Sequence, residues 1–161
     1  MRKSILIAIL TVAIFWFEFI LFNVLGHWFK PNLLLLLIIF FNLSWGIRYS
    51  LLAGFLAGLL KDSLSVNVFG FYLLPFVLSA YLTTLVRKYI YQRESRASGI
   101  LVVFLVSLLH GLIQYLLSEM LGEVPLQEAL VYGILPEAMI TILAGIPVFQ
   151  VLRRCASRLS V

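Results

Sequence analysis

Charge is scarce in this chain. Of its 161 residues, 12% are Asp, Glu, Lys or Arg and 63% are hydrophobic, whereas an ordinary soluble domain is roughly a quarter charged and about half apolar. A water-soluble globular fold is therefore excluded, and no polar stretch between the apolar blocks is long enough for a soluble domain. Cysteine occurs once, at Cys155, which excludes an internal disulfide and any site built from several cysteines. Histidine occurs twice, at His27 and His110. There is no HExxH, no GxSxG and no Walker loop, and neither histidine has a second on its own helix face. With no nucleophile beside a base and no ligands at metal spacing, no catalytic residue, metal or cofactor is expected. The net charge of +5 does not point to nucleic acid either, because the basic residues lie scattered between apolar blocks and do not gather on one solvated face.

What is present is long apolar runs. Blocks of this length and continuity mark a helical integral membrane protein, each crossing taking about 20 residues. The runs predict an all-α, single-domain bundle of six transmembrane helices over about 4–25, 31–47, 49–65, 68–86, 98–121 and 129–152. The second and third are joined at WGIRYS and should form a tight hairpin. The N-terminus opens like a signal peptide, with Arg2 and Lys3 before an apolar run. The run is too long for one and no small-residue cleavage site follows, so it is expected to stay as the first helix.

Orientation follows from the Lys and Arg residues between the runs. With six crossings and a cytoplasmic N-terminus, the inside segments hold Arg2, Lys3, Arg48, Arg87, Lys88, Arg93, Arg96, Arg153, Arg154 and Arg158. Only Lys30 falls outside, with Lys61 near the outer boundary. Both termini are thus expected in the cytoplasm of a multi-pass protein surrounded by membrane lipid, and the basic 87–96 loop is read as an orientation signal.

Ionisable groups inside a bilayer need a partner, water or a boundary position. Glu18, Asp62 and Glu137 fall in the outer half of this topology and His110 nearer the middle. Glu18, His110, Gln114 and Glu137 are candidates for one polar cluster. Ser50, Gly54, Gly58 and Asp62 recur every four residues, so they share one face of the third helix, widened by Ala53 and Ala57. Helices in lipid associate where small residues let backbones approach, which makes this face a packing surface. Lys61 is expected to extend its stem toward the headgroups. The sixth run repeats the design at Gly133, Glu137, Thr141 and Gly145, and the fifth carries His110, Gln114 and Ser118.

The segment from Lys30 to Val86 resembles the MreD family of bacterial rod shape-determining membrane proteins. Pro31 opens an apolar helix, Arg48 is the basic residue of a turn, and the family's G-F-x-x-G-L-x-x-D core matches Gly54, Phe55, Gly58, Leu59 and Asp62, with Gly70 following. One position departs from the pattern: Asn32 stands where the family often has an acid after the proline, so no role needing a charge is expected there. The resemblance implies a non-enzymatic scaffold subunit of the cell-elongation complex in the bacterial cytoplasmic membrane. Its expected direct partner is the single-span protein MreC, with MreB, RodA and a penicillin-binding transpeptidase as wider members. Gly54, Phe55, Gly58, Asp62 and Gly70 become the candidate packing or partner interface. The family is also similar in fold to the substrate-binding subunits of energy-coupling-factor transporters, which leaves a vitamin-binding membrane subunit as the alternative.

Overall fold

The computed structural model describes residues 2–25, 31–65, 69–90, 96–120 and 129–159. His27, Lys30 and Arg93 lie outside them. Among the described residues the chain forms six α-helices: α1 Arg2–Leu25, α2 Leu33–Trp45, α3 Ile47–Leu64, α4 Leu73–Ile90, α5 Arg96–Glu119 and α6 Leu135–Leu159. A π-helical turn, Ala129–Ile134, leads into α6. This is an all-α membrane bundle. Lys3–Val24, Ser98–Glu119 and Leu135–Leu152 are each long and apolar enough to cross a bilayer.

The bundle is organised around its shortest helix. Every residue of α2 from Leu33 to Asn42 is buried, and α2 packs against all five other helices. A helix that is apolar all round has no solvent-facing side to offer, and the sequence LLLLLIIFF supplies such a surface. Its start is fixed by Asn32, whose Oδ1 accepts the Leu35 amide at 3.1 Å as an N-cap. Its end is fixed by Gly46 at φ +92°, a left-handed conformation that glycine adopts without steric cost. The apolar run over 31–47 therefore yields 13 helical residues, a length of about 20 Å at 1.5 Å per residue. α3 begins at the next residue and folds back along α2, where the Ser50 hydroxyl donates to the Ile38 carbonyl at 3.0 Å.

α1 contributes a narrow inward stripe of Ile7, Thr11 and Phe15 and leaves Ile5, Ile9, Val12, Trp16, Phe17, Ile20 and Val24 exposed. Apolar side chains facing outward are what a lipid-facing helix presents. The opposite end of α2 is closed by polar contacts with α4: Asn42 Nδ2 donates to the Ala80 carbonyl at 2.8 Å and to Thr84 Oγ1 at 2.9 Å, and Arg87 donates to the Asn42 carbonyl at 2.8 Å.

α3 and α4 approach each other backbone to backbone. The buried face of α3 consists of Ser50, Ala53, Gly54, Ala57, Gly58 and Asp62. A β-carbon at Gly54 would stand 3.0 Å from the Phe76 carbonyl oxygen, and one at Gly58 would overlap the Cα of Leu73. Backbone, not a movable side chain, occupies the space in both cases. Gly58→Ala should thus cost at least the roughly 1–3 kcal/mol of an overpacked core. Gly99→Ala, with nothing within 4 Å, should be close to neutral. Thermal unfolding of the two variants in the same detergent checks this; equal melting temperatures would refute the close α3–α4 contact.

Candidate polar pocket at one end of the bundle

The first four amides of a helix have no partner within it, and away from water each needs an acceptor from elsewhere. Two acidic side chains meet this need where α2 and α4 begin, and a third stands where α6 begins. Glu18, near the end of α1, accepts the Leu34 amide of α2 through Oε2 at 3.1 Å. Asp62, near the end of α3, accepts the amides of Gly70, Tyr72 and Leu73 at 2.8–3.1 Å and so holds the turn that starts α4. Glu137 lies in the first turn of α6 and accepts from Asn32 Nδ2 at 3.1 Å. Negative charge at helix starts also opposes the positive end of each helix dipole. The Asn32 amide donates to Thr141 Oγ1 at 3.1 Å, which ties the start of α2 to α6.

Lys61 brings a positive charge to this group. Lys61 Nζ sits 2.7 Å from Glu18 Oε1 and lies over the rings of Tyr72 and Phe76 at 5.7 and 5.3 Å. Lys61 therefore turns inward, not toward the headgroups as its stem length allows, because the Glu18 carboxylate and two aromatic faces are within reach on the protein side. Beside the pair opens a pocket of about 370 Å³, whose lining includes Phe15, Glu18, Pro31, Asn32, Tyr72 and Gln114. Its position follows from helix lengths. α2 has 13 residues, while α1, α5 and α6 have 24 or 25, so the walls can continue where the central helix has not yet begun.

A family model described as rod shape-determining protein MreD matches residues 2–155. The chain belongs to the MreD family. No curated protein and no solved structure matches it.

The residues that carried the resemblance to MreD have distinct surroundings. Gly54 and Gly58 face α4, Asp62 caps it, and Gly70 at φ +99° forms the turn between them. Phe55 points away from the bundle and is half exposed. Of the expected polar cluster, Glu18, Gln114 and Glu137 line the pocket and His110 does not. His110 is buried beside α4, with Nδ1 3.0 Å from Ser79 Oγ and its ring 4.8 Å from that of Phe76. Among the described residues its Nε2 has no hydrogen-bond partner. Among the described residues no three of His, Cys, Asp and Glu converge as metal ligands.

Sequence reasoning missed two members of this site. Lys61 was read as a boundary residue, although an acid in the apolar α1 at a similar expected depth was a signal that it had a partner. Asn32 was noted only for its missing charge, yet both its amide and its side chain join the network.

Two outcomes follow. Asp62→Ala leaves three amides without their acceptor and should cost about 2–4 kcal/mol, while Asp62→Asn, which retains one acceptor oxygen, should lose less; unfolding in detergent measures both. Lys61→Met should destabilise the protein by leaving Glu18 without its cation, and Glu18→Gln added to it should recover much of the loss, giving a coupling of about 1–3 kcal/mol in a double-mutant cycle. Strictly additive losses would show that the pair contributes nothing as a pair.

Proposed function

We propose that this MreD-family protein is a non-enzymatic scaffold subunit of the bacterial cell-elongation complex, with an MreC-type single-span protein as its direct partner. MreB, RodA and a penicillin-binding transpeptidase would be wider members of the assembly. The protein would sit in the cytoplasmic membrane with six crossings and both termini inside. The observation that carries this reading is the family match over residues 2–155. The fold supports it: Gly54 and Gly58 serve the packing of α3 against α4, and α1 leaves a long apolar face open to lipid or to a single crossing helix. The basic 87–96 segment serves orientation in this reading.

The pocket beside Glu18 and Lys61 favours a second reading, in which the protein is the substrate-binding subunit of a vitamin uptake transporter. Depletion in the rod-shaped host separates the two. Loss of rod shape, restored by the wild-type gene and not by Gly58→Val, together with co-purification of a single-span membrane protein, is the expected result. Rods that keep their shape but require an added vitamin would replace the scaffold reading with the second.

A further inference from the structure

We infer that the contact between α4 and α5 holds internal water, bound between the His110 imidazole and the Ser107 hydroxyl. Both residues lie within the apolar stretch Ser98–Glu119, so this water sits inside the membrane-spanning part of the bundle. The site is separate from the pocket beside Glu18 and independent of the role in cell shape.

Two polar atoms on one side of α5 lack a counterpart. Among the described residues three buried side-chain atoms have no hydrogen-bond partner, and two of them, Ser107 Oγ and His110 Nε2, belong to this helix. Residues three apart on a helix are neighbours, with about 5–6 Å between their Cβ atoms. At that spacing a single water, or two in a row, can bond to both groups. Polar groups buried without a partner are costly, and internal water is the usual partner of such groups.

Local geometry keeps both atoms available. His110 Nδ1 is 3.0 Å from Ser79 Oγ, and the imidazole packs against the ring of Phe76. These two contacts with α4 fix the ring and leave Nε2 to a different partner. Ser63, Thr11 and Thr83 each close their hydroxyl on the carbonyl one turn back, at 2.6–2.7 Å. Ser107 does not, so its hydroxyl remains open to a bridging molecule.

Size and chemistry select the occupant. His110 and Ser107 are 1% and 7% exposed, which closes the site to a lipid headgroup or a metabolite and leaves it to a molecule of water's size. A neutral imidazole carries its proton on either nitrogen, and a serine hydroxyl both donates and accepts. Water also does both, so it satisfies the pair whichever tautomer is present. On the α4 side the buried Thr83 follows Ser79 by four residues and so extends the polar seam along the same face.

The test uses the full-length protein in phosphatidylglycerol nanodiscs, exposed for milliseconds to X-rays in water enriched in oxygen-18. Water bound against a side chain is converted to hydroxyl radical where it lies, and mass spectrometry then finds the label on that side chain. Each rate is taken relative to the same residue in the unfolded chain. His110 should be labelled several-fold faster than Phe40, which is no less exposed at 2% but packs in the apolar core. Ser107→Val, which replaces the hydroxyl and fills its space, should bring His110 down to the level of Phe40. Ser107→Ala removes the hydroxyl alone; it should lower the rate by a smaller factor, and it serves as the test if the valine variant does not fold. Labelling of His110 no faster than that of Phe40 in the wild-type protein would overturn the inference, as would an unchanged rate in the folded Ser107 variants.

Discussion

The bundle depends on how it satisfies the amides at the starts of its helices. In water these groups would be hydrated; inside a membrane protein they need an acceptor from the chain itself. Here acidic side chains from neighbouring helices reach the starts of α2 and the α4 turn, and a third stands in the first turn of α6. Each carboxylate belongs to a different helix from the amides it accepts, or joins its own helix to another through Asn32. Capping and helix association are therefore the same interactions. Lys61 limits the charge that this arrangement brings together.

The glycines and the aspartate of α3 form a second unit on the same logic. Gly54 and Gly58 admit the backbone of α4, and Asp62, one turn further along the same face, binds the turn from which α4 emerges. The spacing of four makes this possible, since it keeps all three residues on the side facing α4. Closeness without the cap would leave amides unpaired, and the cap without closeness would hold a turn with no helix packed behind it. The charged pair Lys61–Asp62 thus divides its work: the acid serves α4 and the base serves α1.

Much of this architecture was legible in the sequence. The apolar blocks marked the helical membrane class, because runs of that length and continuity suit a helix surrounded by lipid. The small residues four apart marked the buried face of α3, because close backbone approach leaves few other choices of side chain. The partners across the fold were not legible. Nothing local connects Lys61 with Glu18 or Asn32 with Glu137, and a shared expected depth brings residues to one level without saying which of them meet. His110 shows the limit: its place along α5 suggested the cluster, but its ring turns to Ser79 and Phe76. The break after α2 was legible at WGIRYS, whereas the helix is shorter than the expected 31–47 because Asn32 caps its start and the backbone turns at Gly46.

Helix length differs across the protein as well as at its centre. α3 and α4 have 18 residues each, about 27 Å of helix, whereas α1, α5 and α6 have 24 or 25, about 36 Å. α3 and α4 are neighbours, so the short elements share one flank. A helix shorter than the hydrocarbon core is accommodated by local thinning of the bilayer or by tilting, so α3 and α4 set the stricter demand on the thickness of the lipid around them.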